Sequence, residues 1–195
     1  MRFSIIIPAF NAADHIEKAL QSVSSQSFRN YELIVVCDSC TDNTAEIAER
    51  YGAKVINVDY QRDGLTRNAG IDAAQGEYIL FLDDDDWLLH EYVLEMLDEQ
   101  IRDEDMLLFG FIWKGRGYTR QTREQNNIAC WCKAFKRSFI GNTRFSAIPY
   151  WSDVAFNQDL WSKGPRCAYW DMPLYYYNYL RPGSISWRQQ QGEIT

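Results

Sequence analysis

The feature that most limits what this chain can fold into is an alternation. Over residues 1–112, short apolar runs take turns with amphipathic stretches. In βαβ units each strand is followed by a helix that crosses back over the sheet, so neighbouring strands run parallel. Strands are expected at 3–8, 32–37, 54–58, 78–82 and 106–111. A parallel strand buried on both faces reads as an unbroken apolar run, and Ile5-Ile6-Ile7 is one. The spacing predicts helices near 13–24, 43–51, 65–74 and 91–100. Thr41 or Asp42 suits the N-cap of the second helix, and Gly76 suits the exit of the third. The expected fold is α/β, a Rossmann-like and mostly parallel central sheet flanked by helices.

After residue 112 the pattern changes. From 113 to 127 it is polar and basic, with Lys114, Arg116, Arg120 and Arg123, which predicts an exposed excursion. Residues 128–187 are aromatic and irregular, with Trp131, Trp151, Trp161, Trp170 and Tyr175-Tyr176-Tyr177. Most such rings fill a core, and the others suit stacking on apolar sugar faces. A helix is expected at 154–162, with Asp153 as its N-cap. With 195 residues and 46% hydrophobic content, one domain over 1–195 is the default, in two halves that meet near residue 112.

The net charge of −7 argues against a nucleic-acid surface, which needs clustered Lys and Arg. An anionic substrate would then need a metal or local arginines. No stretch reaches the roughly 18 to 20 apolar residues of a membrane span, and the N-terminal apolar run is too short for a signal peptide. The expected location is the cytoplasm, with peripheral contact at the inner face of a membrane kept open. Five cysteines without a secretory signal predict reduced thiols. Cys37-x-x-Cys40 and Cys130-x-Cys132 are poorly spaced for a four-thiolate zinc site.

The run Asp83-Asp84-Asp85-Asp86 follows the apolar strand 78–82. Four adjacent carboxylates suit a solvated face, but the C-terminal edge of a strand is where open α/β sheets bind ligands. Oxygen donors there suit a hard cation such as Mn²⁺ or Mg²⁺.

Taken in order, SIIIPAFN, ELIVVCDSCTDNT, LTRNAGIDAAQGEYILFLDDDDWL, YWSDVAFNQDLW and YNYLRPGSIS resemble the family 2 glycosyltransferases, whose fold is the nucleotide-diphospho-sugar transferase type, GT-A. The resemblance covers residues 3 to about 187 and implies a nucleotide-sugar-binding half, 1–112, and an acceptor-binding half, 113–195. It implies that Pro8, Phe10 and Asn11 form one wall of the nucleotide pocket. Asp38 would accept a hydrogen bond from uracil, and Arg62 and Arg67 would lie near the donor. Asp85 matches the direct metal ligand of an Asp83-x-Asp85 motif, with Asp83 and Asp84 towards the ribose or metal waters. Arg181 would pair with the diphosphate and Asp153 would be the base, with Lys133, Phe135 and Trp151 on the acceptor side.

Each assignment has a plainer alternative. Asp38 suits a loop cap, Arg67 a salt bridge to Asp83 or Asp84, and Arg181 a surface turn. Lys133 and Phe135 suit core packing, and Asp86 with Trp87 suit the start or brace of the next helix. The chain departs from the family pattern at Cys37, Ser39-Cys40 and Ser152, which leaves the nucleotide base and the acceptor contacts open. The implied activity is inverting, metal-dependent transfer of a hexose from a UDP-sugar to a hydroxyl of a glycan or lipid-linked glycan, in cell-surface polysaccharide or similar biosynthesis. A catalytically silent sugar-nucleotide-binding module is the alternative. A nucleotidyltransferase is disfavoured because Pro8-Ala9-Phe10-Asn11 is not a glycine-rich phosphate loop. The sequence does not specify an oligomeric state.

Overall fold

The computed structural model describes residues 1–122 and 129–193, and the expectation for Arg123 lies outside the described residues. In chain order the first half runs β1 (Phe3–Ala9), α1 (Ile16–Ser24), β2 (Tyr31–Asp38), α2 (Thr44–Arg50), β3 (Lys54–Val58), α3 (Asp63–Ala73), β4 (Tyr78–Phe81), β5 (Trp87–Leu88) and α4 (Val93–Gln100). The second half runs β6 (Met106–Trp113), β7 (Gly117–Thr119), β8 (Lys133–Lys136), α5 (Arg137–Ile140), α6 (Ser152–Ser162), β9 (Cys167–Tyr177) and α7 (Ile185–Gln190).

All seven residues of β1 are buried. Alternate side chains leave a strand on opposite faces, so Ile5 and Ile7 enter one core with α1 and α4, while Ile6 enters the other with α3 and α6. Burial on this scale stabilises by about 1.5 to 3 kcal/mol per large apolar side chain. The strands form one sheet in the order β3-β2-β1-β4-β8-β6-β9-β5, with β7 on β6. The first four are parallel, as the alternation predicts. Beyond β4 the sheet is mixed, because the short strand β8 enters antiparallel between β4 and β6. β9 then lies parallel to β6 across a register shift at Phe109 to Phe111.

The chain builds β2 and β3 on one side of β1 and returns to β4 on the other, so the strand order reverses at the β1/β4 boundary. β1 and β4 pair only as far as Ile6↔Phe81, while β1 continues beside β2 to Ala9. A crevice opens where they part, the usual ligand position in such sheets. Pro8 pairs with Val36 of β2 but has no strand neighbour on the β4 side, where a missing N–H costs little.

Four local expectations change. The N-cap of α2 is Asn43, not Thr41 or Asp42, although the Asp42 carboxylate still accepts from the Thr44 backbone N–H at 3.1 Å. Gly76 is not a helix exit cap, since α3 ends at Ala74 in extended conformation. A Cβ at Gly76 would lie 2.5 Å from the Ser4 nitrogen, so glycine is needed there for close approach to β1. The N-cap of α6 is Trp151, not Asp153, which sits inside the first turn. Trp87 pairs with Tyr176 in β5 instead of opening a helix, because β9 offers it a strand edge and a stacked ring at 4.1 Å. Among the described residues no helix is long and apolar enough to cross a membrane.

Candidate active site

A cavity of about 810 Å³ opens at the β1/β4 crevice, within the size range of about 300 to 1,000 Å³ common for small-molecule sites. Every donor-side residue expected from the sequence, from Pro8 to Arg181, lines it. One wall is the loop after β1 and the segment before α3. The floor is the acidic turn, and the opposite wall is residues 177–184, a strap that leaves β9 and leads to α7.

Among the described residues, five non-glycine residues have positive φ: Asn11, Ser39, Gln61, Trp151 and Leu180, between 46° and 63°. Four of them line the cavity, and Trp151 immediately precedes α6. Such conformations cost of order 1 to 3 kcal/mol each and gather where the surrounding structure enforces them. Asn11 is helped by its side chain, whose Oδ1 accepts from the Thr41 backbone N–H at 2.8 Å.

Asp38 lines the cavity with its carboxylate already engaged. Its Oδ1 accepts from the backbone N–H groups of Tyr60 at 2.7 Å and Gln61 at 2.9 Å, and its Oδ2 accepts from Arg62 N–H at 3.1 Å and Thr66 Oγ1 at 2.7 Å. Burial would raise this carboxyl, but those bonds outweigh it and hold the group below the usual carboxylate range. The acceptor capacity is spent on the protein, so a uracil N–H would have to displace an internal bond. Asp38 is a clamp for the segment that carries Gln61 and Arg62, closer to the loop cap of the plainer reading.

Each carboxylate of the acidic turn meets a partner from another element. Arg67 reaches Asp83 at 2.6 Å, as the plainer reading of Arg67 anticipated, and also pairs with Asp63 one helical turn away. His15 lies 3.3 Å from Asp84, and Arg181 lies 2.8 Å from Asp85. Asp86 does not start or brace a helix: it is buried and accepts from Tyr175 Oη at 2.6 Å and Asn178 N–H at 2.8 Å, because β9 passes directly behind the turn. Burial pushes Asp83 up to about 7 against the opposing pull of Arg67. Burial and the neighbouring Asp84 likewise raise Asp85, which Arg181 counters. Burial works against charge on Arg67, yet Asp63 and Asp83 keep it firmly protonated.

No group of three or more His, Cys, Asp or Glu side chains among the described residues is arranged to hold a metal by itself. The donors present still fit a hard divalent cation, which is often bound through one or two carboxylates and completed by water and substrate phosphates. Asp85 already attracts a cationic group, the Arg181 guanidinium.

On the opposite side, Asp153 lies in the first turn of α6 and does not itself line the cavity, although Pro149 and Tyr150 do. Burial raises its carboxyl, Arg67 opposes the shift and Asp63 adds to it. Gly64 makes this neighbourhood possible. A Cβ there would lie 2.6 Å from Ser146 O and 2.9 Å from Ser152 Cβ, so only glycine lets the start of α3 lie against the start of α6. Trp151 stands 59% exposed beside this edge. Lys133 and Phe135 leave the acceptor side altogether. β8 lies within the sheet between β4 and β6, and both side chains are fully buried, Phe135 among Phe81 and Phe156 and Lys133 donating to Ala129 O. Sequence reasoning gave no site role to His15, Asp63, Thr66, Tyr150 or Tyr175, although Thr66 and Tyr150 lie within stretches that carry the resemblance. A local signal was absent because their partners lie on other elements, with His15 before α1, Asp63 and Thr66 on α3, Tyr150 before α6 and Tyr175 on β9.

The reversed strand order, the crevice and the acidic turn define a nucleotide-diphospho-sugar-transferase architecture of the GT-A type. The profile of Glycosyl transferase family 2 matches residues 4–156, and the chain belongs to that family. It is 25% identical to glycosyltransferase GlyA of Streptococcus pneumoniae over 95% of this chain and 31% of GlyA. It is 30% identical to the poly(ribitol-phosphate) beta-N-acetylglucosaminyltransferase TarP of Staphylococcus aureus over 75% of this chain and 46% of TarP. The crystal structure of S. aureus TarS 1-349 in complex with UDP-GlcNAc superposes with a TM-score of 0.82 at 25% identity, over 94% of this chain and 60% of that one. The fold is shared with the mannosyltransferase PcManGT of Pyrobaculum calidifontis, crystallised with GDP-Man and Mn²⁺, at a TM-score of 0.75 and 16% identity over 98% of this chain and 61% of that one. The chain thus spans less than two thirds of the length of these relatives.

Proposed function

We propose that the protein is an inverting glycosyltransferase that moves a hexose from a UDP-sugar to a hydroxyl of a glycan or lipid-linked glycan, in cell-surface polysaccharide synthesis at the cytoplasmic face of the membrane. The observation that carries this reading is Arg181 on Asp85, 2.8 Å apart across one cavity at the β1/β4 crevice. A diphosphate with its divalent cation offers the complementary charges to both groups. The UDP-GlcNAc complex of TarS and the wall-polymer acceptor in the name of TarP support the donor and acceptor classes.

In this reading Asp153 takes the proton of the acceptor hydroxyl as that oxygen attacks the anomeric carbon from the face opposite the diphosphate. The anomeric C–O bond breaks, its electron pair stays on the departing diphosphate, and configuration inverts. A carboxyl raised by burial is a stronger base than an ordinary one, which suits the role. Arg181 pairs with the diphosphate, Asp38 shapes the base pocket by holding residues 60–62, and Trp151 offers a face to the acceptor sugar. Asp85 with Asp83 would hold a divalent cation, which would neutralise charge that develops on the leaving group. Calorimetric titration with UDP, GDP and dTDP, each with Mn²⁺ and with chelator, tests the reading. Metal-dependent preference for UDP is expected, and no binding to any nucleoside diphosphate overturns it. Binding without turnover across a panel of UDP-sugars would instead mark a silent module.

A further inference from the structure

We propose that Asp86 and Tyr175 are positioning residues: together they clamp the acidic turn to the strap that carries Arg181, and so aim Asp83 and Asp85 into the cavity. The aim given to the clamp rests on the reading of that cavity as a donor site. Neither residue lines the cavity, and each is 1% exposed. One hydroxyl joins the two ends of the turn, since Tyr175 Oη donates to Asp86 Oδ2 at 2.6 Å and accepts from the Asp83 backbone N–H at 3.2 Å. The turn closes on itself through Asp86 N–H to Asp83 O at 3.1 Å.

The other oxygen of Asp86 accepts from Asn178 N–H at 2.8 Å, at the point where β9 gives way to the strap. Three residues on, Arg181 returns to Asp85, closing a ring of contacts between residues 83–86 and 175–181. The Tyr175 ring cannot drift, because it stacks on Trp131 with centroids 4.8 Å apart and planes 17° apart. A buried carboxyl is costly unless it is hydrogen-bonded, and its two bonds here run to the end of β9 and to the start of the strap that bears Arg181. Packing alone requires neither the Asp86 carboxyl nor the Tyr175 hydroxyl. Their common effect is to fix the backbone from which Asp83 and Asp85 project, and loss of groups that orient ligating side chains commonly costs ~10- to 100-fold in affinity or activity.

The test uses the full chain and the variants Tyr175→Phe and Asp86→Asn, with two measurements. The first is UDP affinity by calorimetry in the presence of Mn²⁺. The second is amide hydrogen exchange without ligand, at Asp83 and residues 178–181. The expected result is UDP affinity weakened ~10-fold or more and faster exchange confined to those amides, with an unchanged circular dichroism spectrum. Unchanged affinity, or unchanged exchange, overturns the proposal. If the unmodified protein binds no nucleoside diphosphate, the donor-site reading fails by itself, and exchange still decides whether the clamp exists. Should Asp86→Asn not fold, Tyr175→Phe removes a single hydroxyl and decides the matter alone.

Discussion

The two walls of the cavity are held by opposite means. The donor wall rises from the ends of β1 and β2, which are buried on both faces, and its polar groups are spent internally. Asp38 binds three backbone N–H groups and Thr66, and Ala12 N–H is taken by Thr44 Oγ1 at 2.8 Å. The strap wall hangs from the end of β9 by a few single contacts: Asn178 N–H on Asp86 at 2.8 Å, Arg181 on Asp85, Lys114 Nζ on Asn178 Oδ1 at 2.9 Å, and Arg116 over the Trp113 and Tyr179 rings. The contrast separates two tasks. A wall built of saturated backbone fixes where a ligand sits, whereas a wall built of individual contacts can be altered one group at a time.

The sharpest test lies between the walls. Arg67→Met leaves Asp63 and Asp83 without their buried cation and is expected to cost about 3 to 5 kcal/mol in urea unfolding. A loss below about 1 kcal/mol would show that this ion group does not hold the donor side together. Next in size, Asp153→Asn is expected to lower transfer at least ~10²-fold while UDP affinity stays unchanged. Because burial raises the Asp153 carboxyl, the acid limb of the rate should lie above the ordinary aspartate value of about 3.9. Retained activity in Asp153→Asn would remove the assigned base.

Asp38→Asn is expected to cost about 1 to 3 kcal/mol, and its pH dependence sharpens the contrast. The folded-state pKa is depressed, so the stabilisation by Asp38 is complete above the unfolded value of about 3.9 and disappears as pH falls through the lower folded value. Unfolding of both proteins at neutral pH and near pH ~2 should therefore show the gap between them closing in acid. The smallest effect belongs to the strap. Arg116→Ala removes an exposed cation–π contact, and about 0.5 to 1 kcal/mol of stability should go with it. A larger loss would mean that the strap is bound into the fold as firmly as the donor wall.

The same contrast governs what can be read from the chain. β1 to β4 and α1 to α4 are legible because period and burial are local properties: an apolar run such as Ile5-Ile6-Ile7 tells its own story. β8 and β9 are not. β8 has four residues and includes a fully buried lysine, while β9 carries Pro173 and a register shift that blurs any alternation. The donor-side candidates reached the cavity because strand ends in a parallel sheet converge whatever their loops do. Lys133 and Phe135 did not, since their place depends on which strands flank β8.

By itself the sequence determined the parallel half of the sheet and the position of the acidic turn at its C-terminal edge. Each follows from apolar period or from charge density along the chain. Only the tertiary structure decided that Asp38 is a clamp, that Asp86 faces Tyr175 and Asn178, and that Gly64 lets α3 meet α6 beside Asp153. Those roles depend on which groups lie within about 3 Å of each other. Partners more than 20 residues apart in the chain, as at Asp38 and Asp86, are chosen by the packing of whole elements.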